Sequence, residues 1–287
     1  MATMSASTDT PGTLASELLA QLQRFAQRVR LPAVRALHLP SAETAGTREG
    51  EFCALELEDG SIGLSYILLD DTLESLMSSD PAPLAGADPL ALARGFAGGS
   101  NSQRALGFAA INALSRCLYS RADFVPSASS DSIGMLEPQA GDHVGMIGLF
   151  TPLLKKVRAN GARLTVLELK AHLAGQGDGY AVTLDPAALR ACNKVLSTST
   201  VLLNDTLEQV LANCSGASQV AMIGPSAGCL PDGLFARGVT LVGGTWILDT
   251  RGFVDALRAG EPWSGHTRKF GLRRQDYPGF AALLQRL

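Results

Sequence analysis

HVGMIGLFTPLLKKVRANGARLTVLE, residues 143–168, sets two short apolar runs on either side of a helical stretch. Residues 144–149 and 164–167 carry no charge, and the spacing over 153–160 predicts a helix. A strand that is apolar along its whole length is buried on both faces, as in a parallel sheet covered by helices. The alternation then repeats: residues 195–197, 220–223 and 239–242 are further apolar strands, with helices expected over 186–192, 205–214, 230–236 and 253–259. Five such strands predict a Rossmann-like, mainly parallel sheet after residue 143. Its expected core includes Met146, Ile147, Leu149, Leu164, Val166, Leu167, Val195, Leu207, Val210, Leu211, Val220, Met222, Ile223, Val239, Leu241 and Val242.

Ahead of this segment the pattern differs. Residues 1–13 are rich in Ser, Thr, Gly and Pro and are expected to fray. Leu14, Leu18, Leu19, Leu22, Phe25, Ala26 and Val29 recur every three or four residues, which predicts a helix stopped by Pro32. Two strands follow, 51–57 and 62–68, with Asp59 and Gly60 as a two-residue turn. Pro81, Pro83, Gly86 and Pro89 interrupt the chain before a short helix over 90–96. Ser100 and Gln103 fit a capping box, and Leu106, Ala110, Ala113, Leu114, Cys117 and Leu118 give the next helix a buried stripe. The chain therefore divides into an α+β domain over 14–124, a linker or long connection over 125–142, the sheet domain over 143–262 and a basic extension over 263–287.

At 287 residues the chain is about two average domains of ~150 residues each. With 46% hydrophobic and 18% charged residues it is not disordered throughout. Mean hydropathy is +0.14, yet no uncharged apolar run approaches the ~20 residues of a membrane span. The first residues lack a basic segment followed by an apolar one, so no secretory signal is expected. Five Cys, an odd number without a CxxC, suit a reducing compartment, and cytoplasmic is the default expectation. Net charge is −8 over 1–142 and +5 over 143–287. The second half is locally basic only around Arg268, Lys269, Arg273 and Arg274, and no recognition helix or stacking motif gives it a specific nucleic-acid signature. Such a tail is compatible with an anionic small ligand, and plain solvation is the simpler reading of it.

In open parallel sheets ligands collect beyond the carboxyl ends of the strands. The segments expected there are Gly148 to Pro152, Glu168, Thr198 to Thr200, Gly224 to Ser226, and Gly243 to Thr245. Together they would form a crevice of backbone amides, hydroxyls and one carboxylate. Gly148 lacks the GxGxxG setting of a dinucleotide site, and no Walker A sequence occurs. Gly224 and Gly228 flank Ser226 as in an anion-binding turn, or in a purely structural one. Glu168 ends an apolar strand, where a carboxylate needs water, a donor or a cation, so it is the candidate metal ligand and the candidate acid/base. Asp205 with Glu208 fits a capping box, whereas Asn204 is left to bond a local turn or a ligand. No HExxH or close Cys/His cluster exists; Cys53, Cys117, Cys192 and Cys214 sit in apolar patterns, and Cys229 follows the Gly-rich turn without a dedicated base.

Taken in order, NSQRALGFAAINALS over 101–115, Gly145 and Gly148, Glu168, the STSTVLLNDTLE segment with Thr198, Thr200, Asn204 and Thr206, then Gly224, Pro225 and Ser226, and finally Gly244 with Thr245, resemble the putative heavy-metal chelation family of bacteria and archaea. The resemblance spans approximately 14–262. It implies a first domain similar to the N-terminal domain of enolase, a Rossmann-like second domain, and a heavy-metal ion or metal-chelate complex as cofactor or cargo. Ser199 and Asp205 stand where the family commonly has Gly, and Ala227 with Gly228 where it has Thr and Pro. The expected function is binding or handling of a small anionic or chelating metabolite in an interdomain crevice. Glu168 would position a donor or cation, with Gly148, Thr198, Thr200, Asn204, Thr206, Gly224, Pro225, Ser226, Gly244 and Thr245 around the ligand. Two alternatives stand beside it: an enzyme acting on such a metabolite through Glu168, and a structural or protein-partner role. A homodimer is the default assembly.

Overall fold

A computed structural model of the chain describes residues 12–287 apart from 42, 46, 48, 49, 80, 81, 132, 170 and 178. The frayed terminus expected over 1–13 falls mostly outside the described residues, as does the break at Pro81. The first domain opens with helix α1 (Leu14–Ala26), which buries Leu14, Leu18, Leu22 and Phe25 on one face. Strands β1 (Val34–His38), β2 (Phe52–Leu57) and β3 (Ile62–Tyr66) form an antiparallel sheet in that order. The β2–β3 turn is one residue longer than expected. Gly60 N–H donates to Leu57 O and Leu57 N–H to Ser61 O, and Gly60 takes φ +83°, as a three-residue hairpin turn requires.

Short helices α2 (Thr72–Ser78), α3 (Pro89–Ala93) and α4 (Gly95–Gly98) lead to the long α5 (Asn101–Arg121). The expected capping box is formed at α5, with Ser100 and Gln103 each accepting the other's backbone N–H. Helix α5 lies close on β3: a side chain at Gly63 would strike the Ala109 carbonyl at 2.1 Å, so only glycine allows the approach.

The second domain follows the expected alternation. It contains β4 (His143–Ile147), α6 (Thr151–Arg158), β5 (Arg163–Leu167), β6 (Gly175–Gly177), β7 (Tyr180–Thr183), β8 (Lys194–Thr198), α7 (Leu207–Ala212), β9 (Gln219–Ile223), α8 (Asp232–Ala236), β10 (Leu241–Ile247), α9 (Thr250–Ala259), β11 (Thr267–Arg273) and α10 (Phe280–Gln285). The sheet order is β11-β10-β9-β8-β4-β5-β7-β6, parallel from β10 to β7, with β11 and β6 antiparallel at the edges. The α+β domain followed by a mainly parallel sheet is thus the architecture that the strand pattern implied. The sequence pattern did not reveal β1, the β6–β7 hairpin or β11, and residues 186–191 form a 3-10 segment.

Alternate residues of each central strand point to opposite faces. Val144, Met146, Val166, Leu196 and Ala221 enter one core with Ile133 and Leu136 from the stretch over 125–142. Ile147, Leu167, Val195, Val220 and Met222 enter the other, which continues without a break into Leu18, Leu55, Phe108 and Leu114 of the first domain. Of the expected core, Leu149 and Ile223 are half-buried and the rest are buried. Arg237 ties the domains further by donating to both carboxylate oxygens of Glu17, at 2.7 and 3.0 Å. Among the described residues no helix is long and apolar enough to cross a membrane.

Candidate functional site

From β4 the chain moves outward to β5 and β7, then returns to β8 on the other side of β4, so the strand order reverses between β4 and β8. A parallel sheet opens at its strand ends at such a point. Gly148 leaves β4 with φ +82° and donates its N–H to Leu167 O, and a side chain there would meet the Thr198 methyl at 3.1 Å. Thr198 ends β8 and caps the 3-10 turn Ser199–Leu202, accepting from Thr200 N–H and donating to Thr200 Oγ1. Gly224, at φ +153°, leaves β9 against Ser199, whose hydroxyl lies 3.1 Å from that of Ser226.

These residues therefore adjoin, but not all on an open surface. Ser199 and Ser226 are 2% and 1% exposed, so the expectation that Ser226 lines solvent is corrected: its hydroxyl is spent on Ser199 and its carbonyl on Asn112. Glu168 stands at the end of β5, with Oε2 accepting Leu149 N–H at 3.1 Å and Oε1 accepting Leu169 N–H at 2.8 Å. The first of these bonds ties the β4 loop to the β5 loop, and the second is local to the β5 loop.

Asn204 and Thr206 form a separate local unit, since Asn204 Oδ1 accepts both the backbone N–H and the hydroxyl of Thr206. Asp205 between them does not cap α7 as expected. It takes a left-handed φ of +58° and turns its carboxylate to Arg104 of α5, with both oxygens paired. Arg104 also holds the Asp205 carboxyl below its ordinary range.

Gly244 and Thr245 were expected beyond the fifth strand and instead lie inside β10, opposite Phe270 and Lys269 of β11. Parallel pairing of β10 with β9 covers only Leu241 to Gly243, so the rest of β10 projects past the sheet as a two-stranded ribbon with β11. That ribbon reaches the first domain: Ile247 packs on a cluster containing Ala54, Ile62 and Leu64. Gly244 is buried beneath the Phe270 ring, and Thr245 joins Pro225 at the seam.

A cavity of about 30 Å³ lies at this seam, walled by Asn112 and Arg116 of α5 and by Pro225, Gly228, Thr245 and Trp246. Asn112 Nδ2 donates to Leu64 O at 2.7 Å and to Ser226 O at 2.9 Å, whereas its buried Oδ1 has no partner. The Arg116 guanidinium lies 3.4 Å from the Trp246 ring centroid and that of Arg268 lies 5.4 Å from it. Burial, aided by repulsion from Arg268, pushes Arg116 down to about 10. Of these four residues only Arg268, in the basic tail, was singled out by the sequence pattern, although Asn112 and Arg116 are polar residues four apart in one helix.

A larger groove of about 360 Å³ runs between the end of α1 and residues 86–90, where Asp88 already caps α3 through Leu90 N–H. Burial raises Cys53, Cys117, Cys214 and Cys229 to about 12 and Cys192 to about 11, so the five are thiols at neutral pH rather than nucleophilic thiolates.

A sequence profile of the DUF364 family, described as "Putative heavy-metal chelation", matches residues 131–274. A second profile with the same description matches 50–115. The fold is similar to that of a protein of unknown function from the DUF364 family of Desulfitobacterium hafniense DCB-2, with TM-score 0.67 and 17% identity over 90% of this chain and 99% of that one. It is also similar to a DUF364 protein of unknown function from Pyrococcus horikoshii, with TM-score 0.64 and 15% identity over 90% and 99%. No curated protein matches this sequence.

Proposed function

Because the chain belongs to the putative heavy-metal chelation family, we propose that it binds a small anionic metabolite, free or as a metal complex, at the seam between its two domains. The observation that carries this reading is the seam cavity, where polar groups of α5 meet the end of β9 and the β10–β11 ribbon. Enclosure by two elements of opposite domains with a few convergent polar groups is the usual setting of a small-molecule site. The rim of Gly148, Glu168, Thr198, Thr200 and Gly224 continues along the same strand ends and would contact the outer part of the ligand. The Asn204–Thr206 turn would contact it only if the ligand extends toward α7.

The family description implies a heavy metal, and the donor chemistry addresses how one would be held. Among the described residues no three His, Cys, Asp or Glu side chains stand together as a metal-binding group. Glu168 is a single carboxylate whose two oxygens already accept backbone N–H bonds. A directly coordinated ion does not fit these residues, so the reading places the metal on the organic ligand. No acid/base step through Glu168 is favoured by this geometry.

The test is native mass spectrometry of protein purified without chelators, followed by organic and elemental analysis of what is released. A retained anionic metabolite is expected, with any metal leaving alongside it. Stoichiometric metal retained after the organic ligand has been removed would contradict the reading.

A further inference from the structure

The seam cavity measures about 30 Å³, so only the head group of a ligand can enter it. Its chemistry is unusually constrained. Asn112 is 3% exposed, and because its nitrogen is fixed by two carbonyls, the amide cannot turn over. Its Oδ1 therefore stands as a buried acceptor that lacks a donor. Arg116, one helical turn further and about 6 Å along the axis, supplies donors and positive charge beside it. No carboxylate lies within ion-pair distance of Arg116 among the described residues; Asp59 is the acid whose charge it feels. Arg268 spends Nη2 on Pro126 O and keeps a buried Nη1 unpartnered. The Arg116 and Arg268 guanidiniums both lie near the Trp246 ring, and Arg116 is the one that lines the cavity, where an oxyanion would neutralise it. Gly228 keeps the space open, since a Cβ there would stand 3.5 Å from Asn112 Oδ1.

We propose that this cavity is a hydroxycarboxylate-binding subsite, with the ligand's carboxylate on the Arg116 guanidinium and its hydroxyl donated to Asn112 Oδ1. The inference rests on the interdomain-binding reading above and names the ligand class. A cavity this small demands that hydroxyl and carboxylate sit on the same or adjacent carbons. Further carboxylates of a polyacid would remain outside, along the strand-end rim, where they could carry a metal.

Isothermal titration of the full chain with matched acids tests it: citrate against tricarballylate, and malate against succinate, each pair differing by the hydroxyl. The hydroxylated member is expected to bind at least about tenfold more tightly, as when one buried hydrogen bond is lost. Inorganic phosphate should bind more weakly than citrate. Arg116→Gln removes the charge, and Gly228→Val fills the cavity without touching either cation. Each should weaken citrate binding at least about tenfold at unchanged circular dichroism and Tm. Equal affinities within the pairs, phosphate binding as tightly as citrate, unchanged affinity in a folded Gly228→Val, or no saturable binding of citrate and malate would each overturn the inference. The broader reading fails separately, by the metal-retention outcome of the native mass measurement.

Discussion

Asp205 carries a left-handed backbone at a position where the family resemblance has Gly, and it does so while its carboxylate holds Arg104 through both oxygens. A non-Gly residue pays about 1 kcal/mol in that conformation. The ion pair, exposed on the Asp side, returns about the same. Asp205→Gly should therefore change stability by less than about 0.5 kcal/mol, whereas Asp205→Ala loses the pair and keeps the strain, destabilising by about 1–2 kcal/mol. Urea denaturation of both variants checks this, and an Ala variant as stable as the parent would refute it.

His38 is the second residue whose chemistry is set by its neighbours. It is 4% exposed, with Nε2 on Glu56 at 2.8 Å and Nδ1 accepting from Arg258 at 2.9 Å, a pattern that requires the neutral ring with its proton on Nε2. Burial lowers its pKa below the ordinary 6.5, and Arg258 adds to the effect against the raising influence of Glu56. The unfolded chain then binds the proton more readily than the folded one. The contribution to stability is complete above pH 6.5 and is lost as pH falls from there toward the folded pKa. His38→Gln should flatten the decline of Tm below pH 6.5 relative to the parent. An identical slope would show that His38 is not a source of it; His143, also lowered by burial, would retain its own share.

At the scale of elements, α5 does three things at once: it is capped by Ser100 and Gln103, it lies against β3, and it presents Asn112 and Arg116 to the seam. Ser100→Ala should cost about 1 kcal/mol by leaving a helix-end N–H without its side-chain acceptor, measurable by thermal denaturation. The cap was legible because its residues are three apart in sequence. Strand β11 was not legible. In TRKFGLR only Phe270, Gly271 and Leu272 are buried, and the charges around them read as a solvated tail until β10 lies alongside. A chain ended at residue 262 would leave β10 without its antiparallel partner and the cluster without Phe270, Leu272, Phe280 and Leu283. Loss of its near-ultraviolet dichroism and cooperative melting is expected, and native-like melting of that chain would show β11 to be dispensable.

For the whole molecule, the two domains share a hydrophobic cluster running from Leu14 to Leu284 and a clamp in which Arg237 serves Glu17, Glu208 and the carbonyls of Gly12 and Gly233. Unfolding should accordingly be one transition by calorimetry. Arg237→Ala should lower stability by about 2 kcal/mol, since it orphans partly buried acceptors in both domains. Two resolved transitions would show the shared core to be energetically divisible.

The amino-acid sequence by itself determined the strand–helix alternation after residue 143, the cap and stripe of α5, and the placement of Gly148, Glu168, Thr198 and Gly224 at strand ends. Each of these follows from contacts or periodicities a few residues long. Tertiary structure alone decided that Thr245 belongs to a projecting ribbon, that Ser226 is buried against Ser199, and that Arg116 and Arg268, 152 positions apart, meet over one tryptophan. The reason is physical: burial, ion pairing and the lack of a hydrogen-bond partner are properties of what surrounds a group, and the surroundings here are assembled from chain segments that local sequence patterns do not couple.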